Sequence, residues 1–410
     1  MQTFLKNNYH SLTYLILYTS LIIAFFLNLD VTSGPKKDLS YTLLQVQIFQ
    51  DNYLSALLNY DNIEYPNRLS PIYISILALA KKVLVSTELV RFFLLHILII
   101  SQFFLYKCLK IFFYKNNYDK KIIFFLSCII FLSPNFRANI LWIESSMFGF
   151  LFFVISLYYF LKNEKRFENK NVYLNILFLA IASYLRPSYC LFSIFFFFEY
   201  VTRYRQYLSL IKVIFLNLIL AFPAFYYVFI LEIFFIEFGG LSTNYFNKVT
   251  IISSIIFFHT IPFMIFQKIE KKDYKLFFIS IITTLICIYF FNYDLSQAGG
   301  GIFLHLSNYL FNNNYLFYLM LPIFICYLMS VIIHDYKKNI LIIVILLLLT
   351  PQYHIFHKYY DPIVFIIFLT LVNLKIKKEF FLQKRFIFSS YSLFIFHYLI
   401  SFINSFYIKF

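Results

Sequence analysis

Apolar residues along this chain gather in blocks of up to about 20 residues, separated by short polar stretches, which is the pattern of membrane-spanning helices. The blocks fall near 11–29, 89–110, 121–136, 140–161, 171–187, 188–203, 208–232, 249–267, 276–292, 315–333, 339–352, 361–374 and 386–405. They predict an all-α polytopic membrane protein with about 12–13 transmembrane helices. No small-residue cleavage site follows the first block, so a retained helix is expected there and not a signal peptide.

One apolar stretch departs from the rule. Residues 70–86, SPIYISILALAKKVLVS, carry Lys81 and Lys82 side by side. Two ammonium groups deep in lipid cost several kcal/mol each, so this segment reads as an amphipathic helix on the membrane surface. Residues 30–88 then form one outer loop with two interfacial helices. The other helix lies over YTLLQVQIFQDNYLSALL, whose apolar residues recur at helical spacing. A transmembrane module over 89–292 and a C-terminal one over 293–410 follow.

Composition sharpens this picture. The 410 residues are 61% hydrophobic and 13% charged, against roughly 25% charged in soluble domains. A net charge of +16 could point to nucleic acid, yet the basic residues sit in short clusters between spans. With the N-terminus and Lys6 cytoplasmic, the loops at 107–121, 162–170, 203–212, 268–275, 334–338 and 375–385 together with Lys6 hold 24 of the 35 Lys and Arg. That asymmetry is the positive-inside rule. The remaining loops, 30–88, 134–139, 186–188, 233–248, 293–314 and 353–360, face outward and hold most of the unusual polar residues. Cys108, Cys128, Cys190, Cys287 and Cys326 lie in or beside apolar blocks without metal-ligand spacing, so neither a disulfide framework nor a zinc site is expected.

Acidic residues in an outer loop, with arginine or lysine at membrane level, suit a substrate that is half lipid and half sugar. A carboxylate can take the proton of an acceptor hydroxyl, and a guanidinium can grip two phosphate oxygens. Asp38 is the base candidate, with a helix N-cap as its structural alternative. Asp30 marks the water boundary of the first span, and Asp51, Asp61 and Glu64 read as solvated. Glu144 begins a span from the outer side, where a carboxylate needs a partner or a wet cavity. Arg186, in IASYLRPSYC, and Lys358, in PQYHIFHKYYDP, are the phosphate-binding candidates. Snorkelling is the alternative for Arg186. Tyr41, His305, Asn308 and His357 are candidate sugar or acceptor contacts. His354 and His357 read as polar loop residues before metal ligands.

These segments resemble the GT-C class of membrane glycosyltransferases, which use polyprenyl-phosphate sugars. RLSPIYISILALAKKV resembles that class's surface helix, and LAIASYLRPSYCLF its arginine-bearing segment. Within the class, KKDLSYTLLQVQIFQDNY is similar to the loop of the dolichyl-phosphoglucose alpha-1,2-glucosyltransferase family, with Asp38 on the family's acidic residue and Leu39 where it has a second acid. The resemblance implies a GT-C-type fold and inverting transfer of a hexose from a polyprenyl-phosphate sugar to a glycan or lipid-linked acceptor. It implies Asp38 as base, Glu144 ordering base or acceptor, and Arg186 with Lys358 on the donor phosphate. No metal or separate cofactor is expected, and the partners are lipid and glycan, not nucleic acid. An outward-facing site in a bacterial inner membrane is the expected location. An O-antigen-type polymerase, a lipid-linked glycan flippase and a non-catalytic scaffold are the rival readings.

Overall fold

The computed structural model describes residues 2–32, 34–60, 70–113, 120–166, 168–203, 207–231, 242, 244–267, 271–295 and 299–407. Asp61, Glu64 and most of the expected loop 233–248 lie outside these residues. Among the described residues the regular elements are helices, with no β-strand. The chain is an all-helical polytopic membrane protein. Among the described residues six helices are long and apolar enough to cross a membrane: Thr87–Phe112, Ser145–Lys165, Ser209–Ile230, Tyr245–Met264, Tyr315–His334 and Lys384–Ile403. A bent pair raises the number to seven, and His10–Phe26 and Tyr274–Tyr289 are shorter apolar helices.

The count falls below the expected 12–13 because several apolar blocks fold into short or broken helices. The block near 188–203 splits into a 3-10 turn, Pro187–Leu191, and α10, Phe192–Arg203. The blocks near 339–352 and 361–374 become α16, Tyr336–Leu348, and α17, Ile363–Thr370. Hydropathy locates apolar chain but does not report its breaks.

Two compact units emerge from the contacts, Met1–Phe238 with Phe394–Phe410, and Gly239–Leu393. The first opens with α1, Gln2–Phe26, followed by α2, Pro35–Asp51, α3, Tyr53–Leu58, and α4, Pro71–Leu84. The described part of the polar loop thus holds three helices where two were expected. Asn52 divides them: its side chain accepts from the Ser55 N–H at 3.3 Å and starts α3 afresh. In α4, Ser70 caps the start by accepting from the Ile72 N–H at 3.3 Å, and Pro71 supplies a preset φ at the first helical position. Its Tyr73, Ile74, Leu77 and Ala78 are buried, and Lys81 and Lys82 occupy the last turn. Cations there complement the negative end of the helix.

α5, Thr87–Phe112, leads away from this end of the unit and α6, Lys120–Ser127, leads back. Midway, Gln102 Nε2 donates to Ser127 Oγ at 2.7 Å. The chain then bends by 70° between Lys120–Leu132 and Pro134–Leu141. Ser133 Oγ caps the new helix α7, Pro134–Leu141, by accepting from the Phe136 N–H at 2.9 Å. The stretch PNFRAN, expected as an outer loop, is therefore a wholly buried helix. A Ser-Pro pair in an apolar context starts a helix as readily as it ends one. Arg137 inside α7 donates to Ser20 Oγ and the Ser20 carbonyl, each at 3.0 Å. At its far end, the Leu141 carbonyl accepts from Arg91 Nε at 3.2 Å, so α7 finishes beside the start of α5.

α8, Ser145–Lys165, α9, Asn169–Leu185, and α10 complete the packed part of this unit. Asn175 joins them. Its Nδ2 donates to Ser156 Oγ at 2.7 Å and to the Ser156 carbonyl at 3.0 Å, and its Oδ1 accepts from the Tyr200 hydroxyl at 2.8 Å. All three residues are fully or almost fully buried. Asn175→Ala strands these donors and acceptors away from water and should cost about 1–3 kcal/mol. The measurement is thermal unfolding of the purified protein in detergent, where the variant should melt earlier than wild type and earlier than an exposed-site control.

Candidate functional site

Asp38 lies in the first turn of α2, where its amide donates to the Gly34 carbonyl at 3.0 Å. The helix starts at Pro35, so Asp38 is not the N-cap. Gly34 holds that position. The cause is again a proline preset at the first helical position. α2 buries Leu39, Thr42, Gln45, Val46 and Phe49 and packs on α4. Tyr41 is half exposed.

Tyr73 of α4 is the residue on which the acids converge. Its hydroxyl donates to the Ile143 carbonyl at 2.6 Å, and its ring meets Phe148 at a centroid distance of 5.8 Å. Burial pushes the phenol well above its ordinary range, and the charges of Glu144 and then Asp38 push it further. Both carboxylates therefore lie within electrostatic reach of one buried hydroxyl.

Glu144 is set by a tight turn between α7 and α8. Ile143 has φ 48°, a left-handed conformation that a β-branched residue rarely adopts. The turn persists because its surroundings over-determine it. The Glu144 amide donates to the Asn139 carbonyl at 2.9 Å, Tyr73 holds the Ile143 carbonyl, and Ile143 itself is buried. Glu144 then occupies the N-cap position of α8, and Ser146 Oγ donates to its Oε2 at 3.1 Å. Asn139 Nδ2 in turn donates to Ser146 Oγ at 3.3 Å. Asp38 and Glu144 thus both sit at helix starts, where free backbone N–H groups suit negative charge.

Arg186 ends α9 in an extended conformation, and Pro187 opens the following 3-10 turn. A Cβ added at Gly149 would lie 2.8 Å from Arg186 Cβ and 2.9 Å from Tyr189 Cε2. The absence of a side chain at Gly149 lets the arginine backbone approach α8 less than two turns from Glu144. Asp38, Glu144 and Arg186 are each partly exposed. The structure brings these three to the same end of the first unit.

The other predicted residues belong to the second unit. α14, Gly301–Phe311, starts after Gly299 and Gly300, which with Gly301 have positive φ of 89°, 99° and 77°. His305 Nε2 pairs with the Gly299 carbonyl at 2.6 Å. Asn308 Nδ2 donates to Asn314 Oδ1 and the Leu304 carbonyl, closing the turn into α15, Tyr315–His334. His357 and Lys358 lie on the 3-10 turn His357–Tyr359. Lys358 Nζ stands 5.8 Å from the ring centres of both Phe356 and Tyr359, within cation–π range. His357 keeps part of its surface exposed, but both its ring nitrogens are buried. Its ring lies 4.8 Å from that of His259 in α12, Tyr245–Met264. Burial first, and His305 second, push the His357 imidazole down to about 3. Among the described residues no group of three or more His, Cys, Asp or Glu is placed to hold a metal ion.

Sequence reasoning missed Tyr73, Ile143 and Gly149. Tyr73 had a signal, because it shares the buried stripe of α4 with Ile74 and Leu77. The other two had none, since their roles depend on backbone torsion and on a neighbour distant in sequence. No family model matches this chain, and no curated protein and no solved structure matches it either.

Gly149→Ala should displace Arg186 and Tyr189 and lower the melting temperature by several degrees, about 1–3 kcal/mol by the usual cost of overpacking; differential scanning fluorimetry in detergent reads the shift. His357 generates a pH prediction. Its folded value is depressed to about 3 from 6.5, so its neutral form supports the fold fully above pH 6.5. That contribution is lost as pH falls from there toward 3, because the unfolded chain takes up the proton first. A series of melts from pH 7.5 to 4.5 should show a steeper fall for wild type than for His357→Gln.

Proposed function

We propose that the protein is a GT-C-type membrane glycosyltransferase that moves a hexose from a polyprenyl-phosphate carrier to a glycan or lipid-linked acceptor hydroxyl. The observation that carries this reading is that Asp38 and Glu144 lie within electrostatic reach of the same buried Tyr73, with Arg186 packed against Gly149 on the helix that starts at Glu144. Two carboxylates and a guanidinium at one end of a helical unit are the groups that such a transfer requires.

In the proposed reaction the Asp38 carboxylate takes the acceptor hydroxyl proton. The acceptor oxygen bonds to the anomeric carbon as the bond from that carbon to the carrier phosphate breaks. The phosphate leaves with its charge held by Arg186, and Glu144 orders the acceptor or the base. Tyr73 is a positioning residue, because its proton is held on the Ile143 carbonyl. The reaction faces the side opposite the Lys- and Arg-rich loops, the outer face of a bacterial inner membrane.

The test is transfer from radiolabelled polyprenyl-phosphate hexoses by the purified protein, with a panel of glycan and lipid-linked acceptors. Asp38→Asn should lower the rate by at least about 100-fold, the scale of general base catalysis. Arg186→Ala should weaken donor use strongly, and Lys358→Met tests separately whether that lysine supports the phosphate. Undiminished transfer by Asp38→Asn would move the base to Glu144. Absence of transfer across the whole panel would count against the reaction class.

A further inference from the structure

A second site stands on the other flank of α2. A cavity of about 510 Å³ is lined by Lys36, Lys37, Ser40, Arg91 and Trp142, with Leu39 and Leu43 beneath and Asp30 and Glu88 also on its wall. Asp38 is not on this wall.

The cations are arranged around the sole tryptophan of the chain. The Arg91 guanidinium lies 3.8 Å from the Trp142 ring centre, and Lys36 Nζ lies 5.3 Å from it. Trp142 is fixed in turn, since its Nε1 donates to the Leu29 carbonyl at 3.0 Å. Arg91 is only 5% exposed. Its Nε donates to the Leu141 carbonyl and its Nη1 to Asn28 Oδ1 at 3.0 Å, while its buried Nη2 has no hydrogen-bond partner among the described residues. The guanidinium is thereby fixed against Trp142 and contributes its positive charge to the cavity wall.

Charge and position narrow the ligand. Three cations against Asp30 and Glu88 leave one net positive charge on the cavity wall, which matches the single charge of a phosphodiester. α5 enters its apolar run at this wall, and Phe26, Leu27, Leu89 and Phe92 are exposed beside it. Phe92 meets both Phe25 and Phe26 of α1. An anionic head in the cavity would thus have an apolar surface next to it for a hydrocarbon tail. Tryptophan and basic residues at such a boundary are the common interfacial anchors.

We propose that the Lys36–Lys37–Arg91–Trp142 cavity binds a phosphate-bearing head group at the membrane interface, independently of the glycosyl-transfer reading. The phosphate accepts from the two lysine ammonium groups and the neutral part of the head packs on Leu39 and Leu43.

Trp142 supplies the readout. The full chain in detergent micelles is titrated, under selective tryptophan excitation, with short-chain phosphatidylglycerol, with inorganic phosphate, and with the matching diacylglycerol that lacks phosphate. Phosphatidylglycerol should change the emission saturably, and diacylglycerol should not. Lys36→Gln/Lys37→Gln, and Lys37→Gln alone as a milder variant, should raise the half-saturation point, the double variant by roughly tenfold. Both lysines are exposed, so unchanged thermal unfolding of the variants keeps the comparison valid. Saturation by inorganic phosphate with the same lysine dependence supports the site and makes free phosphate its source. A response to diacylglycerol equal to that of phosphatidylglycerol, a response indifferent to the lysines, or none to either phosphate probe would overturn it.

Discussion

A polar group inside hydrocarbon has no water to turn to, and each such group in this chain must be satisfied by another part of the protein. In the first unit, Asn175 ties α8, α9 and α10 through Ser156 and Tyr200. In the second, Asn339 Nδ2 donates to the carbonyls of Val331 and Asn373, both at 2.8 Å, and its Oδ1 accepts from the Asn373 amide at 2.9 Å. Arg137 brings a full charge into a buried helix, where Ser20 and the Phe131 carbonyl receive its donors and the Tyr398 ring lies 5.1 Å from its guanidinium. Apolar packing holds such helices together, and these few polar pairs specify which faces meet.

The same constraint builds the candidate site. Glu144 reaches its position through a turn that costs backbone strain at Ile143, offset by the Tyr73 hydroxyl on its carbonyl and the Asn139 carbonyl behind Glu144. Arg186 reaches α8 because Gly149 leaves no side chain in the way. Neither device involves the side chains proposed to meet substrate. The proposed site rests on short-range backbone geometry at two points, one on each end of the same turn and a half of helix.

The sequence disclosed those features that depend on residues near one another. The Lys81–Lys82 pair set α4 apart from the spans, and the apolar runs located the long helices. The cap of α2 lies four residues before Asp38: Asp38 is a better cap than Gly34 by residue type, but Pro35 set the boundary. The PNFRAN segment was read as a loop because its polar residues are buried by partners far away, Ser20 among them. Span count suffered for the same reason: hydropathy measures the chain's affinity for lipid, and α16 and α17 spend theirs on protein neighbours. Asp38, Glu144 and Arg186 were singled out by charge beside apolar runs. Tyr73, which feels the charges of the two acids, is itself uncharged, and only its place on the apolar stripe of α4 marks it in the sequence.

The bend between α6 and α7 carries a topological consequence. Within the first unit the bent pair starts beyond the far end of α5 and finishes at Arg91, near the beginning of that helix. In spite of its 70° corner it therefore counts as one full traverse of the bundle, and not as a loop that dips in and returns. Parity follows. With α5 leading away, the bent pair leading back, α8 leading away and α9 leading back, Glu144 and Arg186 emerge on the same side as α2. Were the corner a re-entrant hairpin, every later segment of the unit would be inverted, and Glu144 and Arg186 would together stand a bundle's length from Asp38.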